Sequence, residues 1–288
     1  MSILSSRLRK ALYSYGTEPS AILLLICVWG SAIITFLTLA FLLLYILWQG
    51  IPYINADLFA LEYNTENVSL FPALVDTIIM VIMALAMATP LGVFAAIYLV
   101  EYAKRGNKIV NIVRVTADTL AGIPSIVYGL FGMLFFVTYL KMGYSLLAGS
   151  CTVAIMVLPL IMRTTEEALK SIPDSYREGS YGLGAGKLRT VFAVVLPSAI
   201  PGILAGIILS IGRIVGETAA LIYTSGTVAA LPQNVLSSGR TLAVHMYVLA
   251  SEGLFMQQAY ATAVILVVIV ICINAASGHL ARRLMKGN

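Results

Sequence analysis

The chain has 288 residues, of which 60% are hydrophobic and only 11% are charged, and its mean hydropathy is +0.94. In a typical soluble domain about 25% of the residues are charged. The apolar residues also form runs of about 20 residues or more, the length that a helix needs to cross a bilayer. These properties exclude a soluble enzyme and indicate a membrane protein.

The charges and the cysteines exclude two further classes of site. The net charge of +5 comes from 18 basic and 13 acidic residues, but the basic residues lie between the apolar runs and are not gathered as a nucleic-acid binder requires. Cys27, Cys151 and Cys272 all fall inside apolar runs, without a second Cys or a His at ligand spacing. We therefore expect no nucleic-acid partner, no disulfide framework and no metal site.

Six apolar runs predict transmembrane helices. Runs of this length, without the alternation of barrel strands, satisfy their backbone groups in lipid only as helices. The predicted fold class is therefore an all-α membrane protein with six transmembrane helices. The approximate bounds of the six runs are residues 21–48, 73–100, 116–140, 145–163, 199–223 and 259–280.

The basic residues predict the orientation of the chain, because cytoplasmic loops hold most of the Lys and Arg residues of a membrane protein. One side of the predicted helices holds only Lys141 and Arg240, while Arg213 lies within the fifth run. The other side holds Arg7, Arg9, Lys10, Lys104, Arg105, Lys108, Arg114, Arg163, Lys170, Arg177, Lys187, Arg189, Arg282, Arg283 and Lys286. We therefore expect both termini in the cytoplasm.

Two outer segments are long, and the glycines and the proline of the second, residues 224–258, predict a turn-rich loop and not one helix. The first, residues 50–72, is polar, and its residues do not indicate a particular ligand. Isolated polar residues are expected at water-exposed positions, since none has a second ligand or proton-relay partner at suitable spacing. They are His245, His279, Asp76 and Asp118.

The connection 164–198 is long and polar, which is unusual among the inner loops of this sequence. Pro173 interrupts it, and Ser175 with Glu178 three residues later predicts a capping box that opens a short helix. Too few apolar side chains follow to hold that helix on lipid, so a protein partner is favoured. The glycines at 182, 184 and 186 are expected to end the helix.

The glycines before Lys187 do not form a phosphate-binding loop. The Walker pattern needs a glycine at the place of Tyr181 and a Ser or Thr at the place of Leu188. We therefore do not expect this chain to bind ATP itself.

The fifth run contains Arg213 and Glu217, whose spacing predicts one shared helix face. Ser210, Gly206 and Gly202 continue that face as a small and polar stripe, and the two glycines form a small-xxx-small pair that allows another helix to approach closely. An arginine in lipid costs about 2.5–3.5 kcal/mol, so this face is expected to meet protein or water. The pair is either a structural ion pair between helices or a cation on a translocation route, and both interpretations stay open.

Glu178, Gly179, Ser180, Gly184 and the Leu196-Pro197 dipeptide resemble the cytoplasmic signature of binding-protein-dependent ABC importer permeases. Gly179 and Ser180 stand where that family has two alanines. The resemblance implies that this segment is a coupling helix seated in a cleft of an ATP-binding subunit. The residues it assigns to ATPase coupling are Arg177, Glu178, Gly179, Ser180 and Gly184.

Residues 163–169 and 212–218, together with other segments between 71 and 281, are similar to the PstA-type permease subunits of phosphate importers. One departure is Asp76, where that family usually has glycine. The resemblance implies the type I ABC importer permease fold in a single transmembrane domain, residues 1–288. Residues 1–70 would form the first span and an outer segment, and residues 71–281 the permease core with the coupling loop 164–198.

The same resemblance implies a function and a set of partners. It predicts a phosphate pathway past Arg213, Glu217, Thr218 and Ser210 in the inner membrane of a bacterium. The expected partners are a PstC-type permease, two copies of a PstB-type ATP-binding subunit, and a periplasmic phosphate-binding protein. The chain itself would hold no cofactor, with ATP and Mg bound by the ATPase partner.

Other functions remain compatible with the residues. The coupling loop reports no substrate, so a permease for another oxyanion or small solute is an alternative. An ATP-independent channel or secondary transporter is another, although no paired, interrupted halves of the kind typical of such transporters are visible. A membrane scaffold or sensor that binds a regulator through residues 164–198 is a third.

Overall fold

The computed structural model describes residues 19–104 and 106–286. The chain forms two compact units, residues 1–49 and 50–288. In the first unit the described residues form one helix, α1, Pro19–Gly50, which ends at the first residue of the second unit. Ser31 and Thr35 donate their hydroxyl hydrogens to the carbonyls of Cys27 and Ser31, so these polar groups are satisfied within the helix. This arrangement suits lipid, where an unpaired polar group is costly.

The described part of the second unit begins with two 3-10 turns, at Ile51–Tyr53 and Ala56–Phe59. Ten further α-helices follow them. π-helical turns at Tyr98–Tyr102 and Met133–Tyr139 extend α2 and α4, and a third at Val191–Val195 joins α7 to α8. The helices are α2 Phe71–Ile97, α3 Lys108–Ala121, α4 Ser125–Gly132, α5 Leu146–Lys170, α6 Asp174–Gly182, α7 Lys187–Thr190, α8 Leu196–Val215, α9 Ala219–Ile222, α10 Leu242–Glu252 and α11 Met256–Lys286.

Helix α5 lies at the centre of this unit and packs against both α2 and α8. Small residues allow these close approaches. A side chain at Gly92 would collide with Ile161, and one at Gly202 would meet Ala168 at 2.6 Å. Gly206 lies directly against Thr164, so the small-residue stripe of α8 faces α5.

The third apolar run is not one straight span. Lys108–Ala121 and Ser125–Tyr139 are separate helical segments that meet at an angle of 100°. Pro124 explains the break, because a proline disfavours the helical conformation of the residue before it and donates no hydrogen bond. Within the part of the chain that the structure describes, five helices are long and apolar enough to cross a membrane, or six if this bent pair counts as one span.

The fifth span also differs from its predicted bounds, since its helical path runs from Lys187 to Val215 and not over 199–223. Pro197 lies in the first turn of α8, where a missing N–H group is tolerated, and the π-helical turn before it joins α7 without a gap. α5 likewise continues to Lys170. The connection between the two long helices is therefore shorter than predicted, and most of it is α6.

The outer segment 224–258 is only partly a loop. Its second half forms α10, Leu242–Glu252, which ends at Gly253 with a φ of 72°. That left-handed conformation is the usual stop for a helix at glycine. The sequence prediction of a turn-rich loop is therefore wrong for this half.

Candidate coupling surface and transport pathway

Helix α6 begins two residues before the position that the capping-box pattern predicts, which has Ser175 as the cap residue. Its cap residue is Pro173, which makes no side-chain capping bond, and Asp174 lies in the first turn. The predicted capping box between Ser175 and Glu178 is therefore not formed. A carboxylate in the first turn still favours the helix, because it faces the positive end of the helix dipole.

The glycines after α6 turn the chain back towards α7. Gly184 has a φ of 82°, a conformation that other residues rarely adopt, and its N–H group donates to the Tyr181 carbonyl at 2.9 Å. The hydroxyls of Ser180 and Thr190 share a hydrogen bond of 2.8 Å. Ser180 therefore ties α6 to α7, in addition to its place in the coupling signature.

The outer face of α6 is open. The helix has no buried residue, Glu178 and Gly179 are exposed, and a side chain at Gly179 would meet no atom within 4 Å. The Leu183 side chain, directly after the helix, is 91% exposed. An exposed apolar side chain beside a polar helix is typical of a surface that a protein partner covers.

Arg177 points away from this open face and into the protein. Its side chain is 13% exposed, and its Nη2 atom lies 2.7 Å from the carboxylate of Glu101, which is 5% exposed. The guanidinium also donates to the carbonyls of Leu169 at 3.0 Å and Ile172 at 2.8 Å. The hydrogen bonds that Arg177 donates to Glu101 raise the pKa of Arg177 above its ordinary value. Arg177 therefore holds α6 against the ends of α2 and α5 and does not face a partner.

Further ion pairs connect α3 to α5 at the same end of the molecule. Glu166 accepts from both Arg114 and Lys170, each at 2.6 Å. Arg163 lies 2.9 Å from Asp118, with both side chains 62% exposed. Asp118 is exposed as predicted, but it takes part in an ion pair.

Arg213 lies in the last turn of α8 and not near the middle of a span. It is half-buried, and its charge is close enough to the Tyr128 hydroxyl to interact with it. Within residues 19–104 and 106–286, Arg213 has no ion pair. Its guanidinium is thus available to a group that the chain itself does not supply.

Glu217 does not continue the helix face of Arg213, because α8 ends at Val215. Its buried carboxylate accepts the Ala220 N–H group at 3.0 Å and so caps α9. The expectation that Arg213 and Glu217 share one helix face is therefore wrong. Thr218, between them and α9, is half-buried.

Ser210 is fully buried, and its hydroxyl donates to the Gly206 carbonyl at 2.9 Å within α8. That bond occupies the hydroxyl hydrogen. Of the four residues proposed for a pathway, Ser210 and Glu217 thus have polar groups engaged within the described chain.

The sequence patterns did not predict a buried polar cluster near the start of α2. Asp76 is fully buried against the backbone of Gly239 and Arg240, and Arg240 is buried with its guanidinium 4.8 Å from the centre of the Tyr63 ring. His245 is also fully buried. Burial, and then the charge of Arg240, lower the pKa of His245 to about 3.

Water exposure was therefore the wrong prediction for His245 and for Asp76. Asp76 is buried against the loop before α10, and the His245 ring lies 6.2 Å from the Tyr63 ring in the segment before α2. No local pattern reports these contacts. The one signal in the sequence was the aspartate itself at a position where similar permeases usually have glycine. His279 lies outside the residues whose side chains are described. Among the described residues, no group of three His, Cys, Asp or Glu side chains is placed to hold a metal ion.

Comparison with known families gives one match over most of the chain. Residues 88–286 match the model of the binding-protein-dependent transport system inner membrane component. The matched region begins within α2 and includes α6, Arg213 and the two short helices that follow.

Curated relatives carry similar descriptions. The probable ABC transporter permease protein YqgI of Bacillus subtilis is 34% identical over 213 residues, which are 68% of this chain and 72% of that protein. The phosphate transport system permease protein PstA of Pasteurella multocida is 35% identical over 67% of this chain and 71% of its own length. The PstA protein of Yersinia pestis is 40% identical over 56% of this chain and 54% of its own length.

Solved structures share the fold. A bacterial alginate ABC transporter matches with a TM-score of 0.68 and 16% identity over 92% of this chain and 96% of its own. An inward-facing MetNI methionine ABC transporter matches with a TM-score of 0.58 and 21% identity over 75% of this chain and 94% of its own. At these identities the likeness concerns the fold alone.

Proposed function

The chain belongs to the family of binding-protein-dependent transport system inner membrane components, and we infer that it is the PstA-type permease subunit of an ATP-driven phosphate importer. The family match and the PstA relatives confirm the resemblance noted in the sequence. The chain is a multi-pass protein of the inner membrane. The observation that carries its role is the exposed surface of α6, a helix that Arg177 fixes to Glu101 at the end of α2.

A permease of this family works with ATP-binding and substrate-binding components. The identities of these partners are proposed from the relatives: a PstC-type permease, two PstB-type ATPase subunits, and a periplasmic phosphate-binding protein. ATP and Mg would bind to the ATPase subunits. The absence of a Walker pattern around Lys187 supports a chain without an ATPase site of its own.

In the proposed mechanism the ATPase subunit binds α6 at the exposed face around Glu178, Gly179 and Leu183. Closure of the ATPase pair on ATP displaces α6. Arg177 bonds to α2 through Glu101 and to the end of α5 through two carbonyls. A displacement of α6 therefore acts at once on the two helices that form the centre of the fold.

Arg213 is proposed as the cation that phosphate meets in the pathway. A guanidinium offers paired donors that match the oxygens of a tetrahedral anion. Arg213 has no ion-pair partner among the described residues, which leaves those donors available. Glu217 and Thr218 lie in the turn after α8 and shape that end of the pathway, while Ser210, Gly206 and Gly202 set the packing of α8 on α5.

The test is uptake of labelled phosphate by vesicles that contain the complete importer. We expect accumulation that requires ATP on the side of the ATPase subunits and that unlabelled phosphate suppresses but an excess of sulfate does not. An importer with an inactive ATPase subunit is the control. Accumulation of sulfate in place of phosphate would reassign the substrate, and uptake without ATP would contradict the importer mechanism.

A further inference from the structure

A large cavity lies beside α6, and Arg213 does not line it. It is an open cleft of about 1070 Å³ between the end of α2, the start of α3, and α6 with α7. The end of α2 and the segment after it contribute Leu99, Lys104 and other residues to the lining, and α6 contributes Asp174, Arg177 and Tyr181. The cleft thus spans the connection between the coupling helix and the membrane helices.

The lining of the cleft is strongly basic. Glu101 and Asp174 are its only described carboxylates, and both are bound to Arg177. Arg114 and Lys170 share Glu166 just outside the lining. The cationic side chains that line it are Lys104, Lys108, Arg114, Lys170, Arg177 and Lys187.

Three of these cations are uncompensated. Lys104, Lys108 and Lys187 are exposed and form no ion pair with any residue of the described chain. Lys187 instead lies 5.1 Å from the centre of the Tyr102 ring. The cleft also contains the N-terminal end of α3 at Asn107 and Lys108, where the helix dipole adds positive potential.

Helix α3 also contributes apolar side chains to the cleft, next to its Lys108 and Arg114. Val110 and Ile112 line it, and the neighbouring Ile109 and Ile112 side chains are 65% and 62% exposed. A helix with exposed apolar side chains beside a basic cluster is typical of a segment at the membrane interface. Basic pockets between helices at the cytoplasmic surface bind the headgroups of anionic lipids.

We propose that this cleft is a binding site for a phosphate group, supplied by the headgroup of an anionic phospholipid of the inner leaflet. Lys104, Lys108 and Lys187 bind the phosphate oxygens, and the exposed Ile109 and Ile112 side chains of α3 lie along the acyl chains. The placement in the inner leaflet rests on the proposed function, in which α6 faces the cytoplasm. Because Arg177 and Tyr181 belong to both the cleft and α6, an occupied cleft stabilises the seat of the coupling helix.

The experiment uses the complete importer in nanodiscs of phosphatidylcholine, with or without phosphatidylglycerol. Bound phosphatidylglycerol is counted by native mass spectrometry after detergent exchange. The cleft variant is Lys104→Gln with Lys108→Gln, and the matched control removes two charges outside the cleft, Lys141→Gln with Arg189→Gln. A phosphatidylcholine sample with added inorganic phosphate tests whether a free anion fills the same site.

We expect the wild type and the control to retain phosphatidylglycerol and the cleft variant to lose it. The affinity should fall about fivefold for each lysine removed, the usual contribution of one basic residue near an anionic surface. If inorganic phosphate instead displaces the lipid and protects Lys187 from acylation, the site stands with a free anion as its ligand. Equal lipid retention in the cleft variant and the control, without protection by phosphate, would overturn the proposal.

Two measurements separate this site from the importer mechanism. Copurification of the ATPase subunit is recorded for each variant. Its loss from the cleft variant would show that the lysines bind the protein partner, which overturns the lipid site and leaves the coupling role intact. Failure of phosphate uptake in the wild type would contradict the proposed function without affecting lipid retention.

Discussion

Arg177 and Arg213 lie in two regions that treat an arginine in opposite ways. At the base of α6, Arg177 is 13% exposed and bonded to Glu101, Asp174 and two carbonyls. At the end of α8, Arg213 has no ion-pair partner within the described chain. The contrast agrees with the proposed function, in which Arg177 transmits the movement of α6 through fixed contacts and Arg213 binds a group from outside the chain.

The largest effect is expected at the paired arginine. Arg177→Ala leaves Glu101 buried without its cation, and breaking a buried pair from one side costs about 3–5 kcal/mol. We expect α6 to lose its contacts with the ends of α2 and α5. ATP-driven phosphate uptake should then fall by roughly a hundredfold or more, and protease cleavage within α6 should increase.

Arg177→Lys sharpens the same test. Lysine keeps the charge but cannot donate to Glu101 and to two carbonyls with the fixed geometry of a guanidinium. We therefore expect it to restore little of the uptake. Full activity of Arg177→Ala, with α6 still protected from protease, would contradict the role of this contact.

At the unpaired arginine the expected effect is confined to transport. Arg213→Gln removes no ion pair, so the thermal unfolding midpoint and ATPase copurification should stay close to wild type. Phosphate uptake should fall by about tenfold or more, since a charged hydrogen bond contributes about 1.5–3 kcal/mol. Unchanged uptake would remove Arg213 from the pathway but not the chain from its family.

The buried His245 provides a smaller effect that depends on pH. Burial and Arg240 lower its pKa to about 3 in the folded protein, while an unfolded histidine titrates near 6.5. Protons therefore bind preferentially to the unfolded chain below pH 6.5, and stability is lost as the pH falls from 6.5 towards 3. Between pH 7 and pH 5 the free energy of unfolding should decrease by about 2 kcal/mol.

Thermal unfolding of the detergent-solubilised chain at both pH values measures this loss, with His245→Gln as the comparison. The variant has no imidazole to protonate, so its unfolding midpoint should fall less between pH 7 and pH 5. An identical decrease in both proteins would show that His245 is not the group responsible.

The smallest effect is expected at an exposed pair. Asp118 and Arg163 are in contact at 2.9 Å, but both are 62% exposed, and such pairs contribute about 0–1 kcal/mol. Asp118→Asn should leave uptake and the unfolding midpoint nearly unchanged. A loss as large as that of Arg177→Ala would mean that the distinction between buried and exposed contacts does not explain this end of the molecule.

The sequence was most informative where a property is local. The spans α1, α2, α5 and α11 follow from long apolar runs, and the glycines around Gly184 predicted the turn after α6. The 100° break between α3 and α4 was missed because hydropathy averages over Pro124. Arg213 and Glu217 were misplaced because the helical period was extended past Val215, where α8 ends.

Non-local packing accounts for what else was missed. The direction of Arg177 depends on Glu101, which is 76 residues away in the chain. Asp76 is buried against Gly239 and Arg240, and His245 lies against Tyr63, all of them distant in the chain. A pattern of neighbouring residues cannot report such contacts, and the coupling role that it predicts for the segment around Glu178 stays a prediction.

The most direct test of the coupling role is photo-crosslinking from α6 in the intact importer. A photoreactive residue replaces Leu183, which is 91% exposed after α6, or Leu254, which is 80% exposed between α10 and α11. We expect the position at 183 to crosslink to the ATP-binding subunit and the position at 254 not to do so. Crosslinks to that subunit from 254 and none from 183 would contradict the assignment of α6 as the coupling helix.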